Sequence, residues 1–361
     1  MSLKGASYNI VGDGKLLAPG VFKTASANND LKWEQTEQWN VGIDASFLNN
    51  RLGLTLDYFD KNTTDMLIQR PYIGVIGEGG YYWYNGISMK NKGFEATVTW
   101  RDQIKDFNYD VSLNLSYYKN EITDLPSDIY YTYGGGNGVD QSIVGQPFGS
   151  WMGYKTDGLF RTEEEVRDYL AKYDVQIGKP GVGRIRYVDV NNDGIISTAD
   201  QTWLGSDQPK VIAGLNLGAS WKGFDLSMFF NGMVRDVWNN SKFYTDLFPL
   251  WNGNHSTRLL DAMDAWTVYE QTALSAVDTN NEARSSEFFI EDGSYIKLKT
   301  LTLGYTLPKK VIDKLFLNNV RVYFQAQNLF TLTNYTGADP EGLGYTYPQP
   351  RSYTFGLSVG F

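Results

Sequence analysis

The sequence contains no cysteine, one histidine and no long apolar run. Without cysteine, neither a disulfide framework nor a thiol site is available. No stretch approaches the roughly 20 apolar residues of a transmembrane helix. The formal charge of -9 argues against nucleic acid as a partner, because basic side chains supply most of the affinity for a phosphate backbone.

The sequence also shows no recognisable set of catalytic residues. His255 is an isolated histidine in a polar stretch, where such a residue is usually only solvated. The acidic run Glu163-Glu164-Glu165 stands at the start of a predicted helix, where carboxylates suit the helix dipole. We therefore predict that the chain is not an enzyme.

Aromatic residues are abundant, with 25 Tyr, 19 Phe and 10 Trp. At the C-terminus large apolar residues alternate with Thr, Gly and Ser, and successive side chains of a strand point to opposite faces. The large residues of this last segment are Tyr353, Phe355, Leu357, Val359 and Phe361. One apolar face and one face of small polar residues are typical of a strand in a transmembrane barrel.

Eight further segments show the same alternation, and charges well inside them fall on the polar face. The nine segments are residues 38–48, 52–59, 94–100, 109–118, 211–221, 224–230, 296–307, 320–327 and 353–361. Short and long connections alternate between them, as expected for periplasmic turns and extracellular loops. The pattern predicts an all-β fold, an antiparallel transmembrane β-barrel. Because bacterial barrels have even strand numbers, about nine strands indicate the C-terminal part of a larger barrel.

We predict that residues 1–32 form a loop and that residues 62–90 form a longer connection. Residues 119–210 form a large extracellular loop, and residues 234–293 form a second one. Within the first of these, Thr162 and Glu165 form a capping box before a short amphipathic helix. A change of phase near Lys299-Thr300 indicates a β-bulge.

The large loop also contains a segment with the spacing of a calcium loop, with Gly194 at its sixth position. The ligands predicted from that spacing are Asp189, Asn191, Asp193, Ile195 through its carbonyl, Ser197 and Asp200. Asp at the twelfth position reaches less far than Glu, so modest affinity for a structural Ca²⁺ is expected. The alternative is an Asx-rich turn without metal.

Several motifs resemble those of one transporter family. They are NDLKWEQT at 29–36, NKGFE at 91–95, GQPFG at 145–149, the loop at 189–200 with LGS at 204–206, KGFDLS at 222–227, SYIKLK at 294–299, TLGYTLP at 302–308, QNLF at 327–330 and DPE at 339–341. On these motifs the chain resembles the SusC/RagA family of TonB-dependent outer-membrane transporters.

The resemblance implies a 22-stranded barrel with an N-terminal plug, in the outer membrane of a Gram-negative, Bacteroidetes-like cell. It also implies import of an oligosaccharide, other glycan or peptide nutrient, powered by the TonB complex and assisted by a SusD-like surface lipoprotein. The sequence departs from the family because no plug domain or TonB-contacting segment is recognisable in residues 1–361. Its expected share of the function is the barrel wall, the loops that dock the lipoprotein and part of the substrate cavity.

Aromatic side chains are candidates for substrate binding, because their faces pack on sugar rings or peptide side chains. They are Tyr81, Tyr82, Trp83, Tyr84, Trp238 and Trp251. A barrel girdle or a loop core would use the same residue types. The apolar ladder from Tyr353 to Phe361 also resembles the signal by which outer-membrane assembly machinery recognises its clients. Two other functions stay open: a soluble β-sandwich carbohydrate-binding module and a passive porin.

Overall fold

The computed structural model describes residues 2–9, 17–25, 28–71, 81–126, 143–182, 184–239, 284–312, 317–342 and 347–360. In chain order, the strands are β1 (Ser2–Asn9), β2 (Leu17–Ala25), β3 (Gln35–Phe47), β4 (Leu52–Pro71), β5 (Tyr81–Ile104), β6 (Phe107–Asp124), β7 (Ser150–Tyr154), β8 (Thr156–Leu159), β9 (Asp174–Val175), β10 (Ile185–Tyr187), β11 (Ile195–Ile196), β12 (Gln201–Ser206), β13 (Val211–Trp221), β14 (Phe224–Val234), β15 (Asp236–Trp238), β16 (Ile290–Asp292), β17 (Tyr295–Thr306), β18 (Asn319–Thr333) and β19 (Ser352–Gly360).

Within the described residues, two α-helices lie between strands, α1 (Glu163–Lys172) and α2 (Lys309–Ile312). Single 3₁₀ turns occur at Thr198–Asp200 and Glu287–Phe289. Among the described residues, no helix is long and apolar enough to cross a membrane.

One eleven-stranded sheet dominates the described part of the chain. Nine of its strands pair antiparallel in the order β3-β4-β5-β6-β13-β14-β17-β18-β19, so neighbours in space are neighbours along the predicted series. The nine predicted strands are therefore confirmed, although their ends differ. The remaining β-sheets in the described ranges are two-stranded and lie in the connections.

The sheet has two distinct ends because its connections alternate in length. Tight turns join β3 to β4, β5 to β6 and β13 to β14, and the segment with α2 joins β17 to β18. This is the short-turn end. The long connections leave from the opposite end, which we call the loop end. They follow β6, β14 and β18.

Three predicted boundaries are wrong. Residues 1–32 are not all loop, because β1 and β2 form a hairpin that joins β5 through one parallel pair, Ala25 with Tyr81. Residues 62–90 are mostly strand, since β4 continues to Pro71 and β5 begins at Tyr81. The large loop begins after Asp124 rather than at residue 119, where β6 is still paired with β5.

The missed strand extensions have a physical cause. The register of β4 on β5 shifts between Thr63 and Met66, and Asp65 has a φ of 56°. A bulge changes which face a side chain occupies, so strict alternation ends there although pairing continues. The bulge predicted near Lys299-Thr300 is confirmed, because the pairing of β17 with both neighbours skips Lys299.

The helix in the large loop is confirmed, and its cap differs in one bond from the prediction. The Thr162 hydroxyl accepts a hydrogen bond from the backbone N–H of Glu165 at 3.2 Å. The Glu165 carboxylate accepts from the backbone N–H of Arg161 at 2.7 Å. The Glu165 side chain therefore bonds to the residue before Thr162, one position earlier than in the predicted capping box.

A close approach between β5 and β6 makes Gly93 sensitive to substitution. A Cβ at Gly93 would collide with the Tyr117 carbonyl oxygen and lie 2.8 Å from the Tyr118 Cβ. We expect Gly93→Ala to lower the free energy of unfolding by about 1–3 kcal/mol, because the backbone of β6 must shift. Urea unfolding in detergent micelles, followed by tryptophan fluorescence, measures this change.

Gly214→Ala is the matched control, because its Cβ would meet only the Phe229 ring, at 3.5 Å. It should unfold at the parent's urea concentration or slightly above it. Equal unfolding of the two variants would contradict the packing argument.

Candidate functional site

The inner face of the sheet is polar and carries paired charges and amides. Arg321 Nε donates to Asp225 Oδ1 at 3.0 Å across β17. Nearer the other edge of the sheet, the Thr55 hydroxyl donates to Asp44 at 2.7 Å. These groups are partly exposed and satisfied by neighbours, so the face can line a hydrated passage.

At the loop end, the connections after β6 and β14 pack into one body with its own core. The core residues are Tyr154, Leu159, Ile177, Ile185, Tyr187, Ile196 and Phe289. Backbone bonds join the two connections, since Tyr154 N donates to Ser285 O at 3.0 Å. The Ser285 hydroxyl donates a hydrogen bond to the Met152 carbonyl at 2.7 Å.

Helix α1 closes one side of this body through an aromatic residue. The Tyr169 hydroxyl donates to the Tyr187 carbonyl at 2.7 Å, and its ring lies 5.0 Å from that of Phe160. Burial raises the pKa of Tyr169, so the hydroxyl stays neutral and remains a donor. The body is thus held by a core rather than by surface contacts alone.

The connection after β18 is fastened to the inner face by a buried ion cluster, which we call the latch. It consists of Lys297 and Lys299 on β17, with Asp339 and Glu341 on the connection. Lys297 Nζ lies 3.0 Å from Asp339 Oδ1 and 2.9 Å from Glu341 Oε2. Lys299 Nζ lies 2.7 Å from Glu341 Oε1. Lys297 is only 2% exposed, so its charge depends on these carboxylates.

Arg235, at the end of β14, fastens the same segment through its backbone. Its Nη2 donates to the carbonyl oxygens of Pro340 and Glu341. Asp339 also accepts hydrogen bonds from the backbone N–H groups of Glu341 at 3.0 Å and Gln349 at 3.2 Å. The latch, together with Arg235, therefore neutralises the charges of the buried groups and fixes the backbone path of the connection.

The carboxylates of the latch are held in their charged form. Burial alone would raise the pKa of Asp339, but hydrogen bonds from Glu341 N–H, Lys297 and Gln349 N–H outweigh it and lower the pKa below its usual 3.8. For Glu341 burial again opposes the shift, and the two lysines lower its pKa below 4.5. Folded-state pKa values below the unfolded ones mean that the latch stabilises the fold above about pH 4.5 and loses this contribution as the pH falls.

The calcium-like loop has the predicted turn, with Asn192 at φ 61° and Gly194 at φ 81°. Asp189 accepts hydrogen bonds from the N–H groups of Asp193 at 3.2 Å and Gly194 at 2.9 Å. The Asn191 side-chain oxygen also accepts from Asp193 N–H, at 3.0 Å. The first, third and fifth predicted ligands therefore lie around one tight turn.

The last predicted ligand has a different environment. Asp200 is fully buried, and its two oxygens accept from the N–H groups of Val190 at 2.8 Å and Ser197 at 2.9 Å. In the described ranges no three His, Cys, Asp or Glu side chains gather as a metal site. Asp200 therefore closes the loop through backbone hydrogen bonds.

The Ile195 carbonyl lies between two carbonyls that bond to the chain at β9. The Gly194 and Ile196 carbonyls accept from Asp174 and Gln176 N–H in the pairing of β11 with β9. Because carbonyls alternate along a strand, that of Ile195 points away from β9.

The aromatic candidates for substrate binding occupy different environments. Trp83 is exposed, whereas Tyr84 packs against the buried cluster that includes Ile68 and Ile122. Trp238 packs on Phe289 at 5.4 Å between ring centroids, within the loop core. Tyr81 and Tyr82 lie at the start of β5, and their side chains are outside the described residues, as is Trp251.

Four of the five residues of the proposed assembly signal form one exposed row. Tyr353, Phe355, Leu357 and Val359 are exposed along β19. Phe361 lies outside the described residues.

The latch is the feature that sequence reasoning missed. Alternation in the 296–307 segment puts Lys297 on the polar face, and Asp339-Pro340-Glu341 is a recognisable motif, but nothing in the sequence joins them across 42 positions. A lysine in the inward phase beside a predicted bulge was the available signal, because such a residue needs an anionic partner if it becomes buried.

Comparison with known proteins agrees with this architecture. Residues 5–329 match the family described as TonB dependent receptor-like, beta-barrel. The chain is 31% identical to TonB-dependent receptor P3 of Formosa agariphila, over 98% of this chain and 36% of that protein. It is 29% identical to TonB-dependent receptor SusC of Bacteroides thetaiotaomicron, over 92% of this chain and 32% of that protein.

A solved structure described as the RagAB peptide transporter matches the whole chain with a TM-score of 0.75 and 26% identity, covering 38% of that chain. The chain thus spans about a third of the length of the curated relatives that it matches. The relatives have receptor and transporter names, which agrees with the predicted lack of enzymatic activity.

Acid should release the latch before the sheet unfolds. The chain has no cysteine, so Tyr347→Cys, at a position 87% exposed, would carry one fluorescent label on this connection. We expect label anisotropy to be constant from about pH 8 to 5 and to fall below about pH 4, as Asp339 and Glu341 gain protons. Circular dichroism of the same samples shows whether the sheet is intact.

Asp339→Asn should give low anisotropy over the whole pH range, because it removes one of the two carboxylates that face Lys297. Asp157→Asn is the control, since Asp157 forms an exposed pair with Arg186 at 2.9 Å. Its profile should match the parent. A parent profile without a pH-dependent step, or a step retained in Asp339→Asn, would contradict the latch.

Proposed function

Because this chain belongs to the TonB-dependent receptor β-barrel family, of SusC/RagA type, we propose that it forms part of the wall of an outer-membrane transporter for nutrient oligosaccharides or peptides. The single observation that carries the membrane placement is the outer face of the sheet. Its large apolar side chains are exposed, with Val41 at 61%, Ile43 at 60% and Leu357 at 64%. A soluble sheet would cover such a face.

Two rows of aromatic side chains bound this apolar face. At the short-turn end, Phe107, Trp221, Phe224 and Tyr305 are cross-strand neighbours in register. At the loop end, the row is Tyr58, Phe94 and Tyr117, with Trp39 beside it. Aromatic girdles at both interfaces are a property of outer-membrane barrels.

The separation of the rows fits a bilayer. Phe107 and Tyr117 stand on the same strand, β6, about 33 Å apart at 3.3–3.4 Å per residue. A strand tilt of about 40° reduces this to a height of roughly 25 Å, the usual apolar band of such barrels. The chain therefore has the dimensions of a membrane-spanning wall.

We assign the loop end to the cell exterior, because outer-membrane barrels have short periplasmic turns and longer external loops. The packed connections and the latch would then surround the entrance for substrate. In this proposal a SusD-like lipoprotein docks on the packed connections, and the TonB complex supplies energy through parts of the transporter other than this wall. The similarity to SusC and to the RagAB peptide transporter supports these partners.

The exposed outer face also weighs against the soluble alternative. In a β-sandwich, the apolar faces of two sheets pack about 10 Å apart. Here the other described sheets are two-stranded and belong to the connections, so they do not cover the main sheet. A passive porin keeps the same outer face and differs in its energy source, which experiment can decide.

Energy dependence separates active import from diffusion. We expect cells producing the transporter that contains this chain to accumulate either fluorescent tryptic peptides or a labelled oligosaccharide ladder. Accumulation should fall at least tenfold when a protonophore removes the energy source of TonB. Flow cytometry, with the gene-deleted strain as blank, measures the uptake.

Uptake that persists with the protonophore would favour the porin. Recovery of the protein from the soluble fraction without detergent would favour the β-sandwich module. Gly214→Ala, which meets no close backbone atom, serves as a variant with unchanged uptake.

We also propose a structural Ca²⁺ in the large loop. Asp189, Asn191, Asp193 and the Ile195 carbonyl would contribute oxygen ligands, since they lie at the tight turn or point away from the paired strand. Asp200 would keep the loop closed from its buried position. The ion would rigidify the large connection without taking part in transport chemistry.

Asp193→Asn should remove Ca²⁺ binding and leave the loop folded, because the amide oxygen can still accept the Ile195 N–H bond now 2.8 Å long. Isothermal titration calorimetry of the purified transporter in detergent, after chelation, measures the binding. The control is Asp168→Asn on the exposed face of α1, which should bind like the parent. Absence of a Ca²⁺-dependent signal in the parent, or equal binding by Asp193→Asn, would disprove the site.

A further inference from the structure

A group of lysines lies on the outer face of the sheet, directly beyond the aromatic row at the loop end. Lys92 is in register with Asp60 on β4 and Lys119 on β6, one step beyond Phe94. Lys90 follows, in register with Asn62 and Glu121. Three ammonium groups therefore stand together on adjacent strands.

Their outward direction follows from the residues between them. Asn120 donates to Asn91 Oδ1 at 2.6 Å and contacts the Met89 sulfur on the inner face. Because side chains alternate along a strand, Lys90, Lys92 and Lys119 point outward. The exposed rings of Phe94 and Tyr117 share that face.

The local charges leave one lysine for an external anion. Lys90 pairs with Asp60 at 2.9 Å, and Lys119 pairs with Glu121 at 2.8 Å. Of the carboxylates that the structure describes, none lies within ion-pair distance of the exposed Lys92, which stands between the two pairs. The group has three positive and two negative charges.

This surface combines a cation with an apolar floor. Phe94 is 59% exposed and Tyr117 is 51% exposed, immediately on the membrane side of Lys92. A soluble anion would use the ammonium group alone. A lipid with a phosphate headgroup would use both parts, its phosphate at the lysines and its acyl chains along the aromatic row.

We propose that Lys92, supported by Lys90 and Lys119, binds the phosphate headgroup of an anionic lipid in the outer leaflet. This inference rests on the membrane placement of the proposed function, with the loop end outside. It adds a lipid partner on the outer surface, apart from the passage for substrate.

Binding of a phosphorylated lipid to the purified transporter tests the proposal. Diphosphoryl lipid A is titrated into the protein in nonionic detergent, and native mass spectrometry gives the bound fraction. Near an anionic lipid surface one lysine contributes about 1 kcal/mol, so Lys92→Gln should weaken binding about fivefold. Replacement of all three lysines by Gln should weaken it further, and Lys92→Arg should retain it.

Lys222→Gln is the matched control, because Lys222 is an exposed lysine over the Trp221 ring at the opposite rim. It should bind lipid A like the parent, and lipid A without phosphates should bind the parent more weakly. Equal binding by the parent and Lys92→Gln would overturn the proposal, and so would binding of inorganic phosphate as tight as that of the lipid. A protein that stays soluble without detergent would instead overturn the membrane placement itself.

Discussion

The pairing of backbone N–H and C=O groups between neighbouring strands is the constraint on which the other features depend. Hydrocarbon supplies no hydrogen-bond partner, so a chain that spans it must satisfy each backbone group internally. In the described sheet, the seven strands of the antiparallel series that lie between β3 and β19 are paired on both sides, while β3 and β19 are each paired on one side. Once pairing is fixed, alternation assigns each side chain to lipid or to the interior.

The same constraint explains where irregular structure occurs. The bulges of β4 and β5 lie at the loop end, beyond the aromatic row, and the bulge at Lys299 lies beside the connection after β18, whose Glu341 contacts Lys299. There water or other protein groups can satisfy the unpaired atoms. Lys297 and Lys299, two residues apart on β17, both face the connection after β18, where Asp339 and Glu341 neutralise them.

The sequence predicted the features that depend on local pattern. Alternation identified all nine antiparallel strands, and spacing identified helix α1 and the turn around Gly194. It missed β1 and β2, because Pro19 and Gly20 disfavour a strand by their own conformational preferences. These residues are nevertheless in a strand, since β1 and β2 pair with each other and β2 pairs with β5. It also missed the latch, because an ion pair between distant positions leaves no periodic signal. Local pattern predicted the large sheet, and tertiary contacts decided how the connections pack at its loop end.

The two charged groups at the loop end have different tasks because their surroundings differ. Lys297 is 2% exposed and faces two carboxylates, so its charge is neutralised within the protein and stabilises one path of the connection. Lys92 stands on the outer face among partly exposed pairs, where water and lipid headgroups compete for its charge. A buried cluster that is complete in itself suits a fixed contact, whereas an exposed cation beside apolar rings suits an exchangeable partner. Burial, more than residue type, therefore decides which lysine is structural and which one is available for binding.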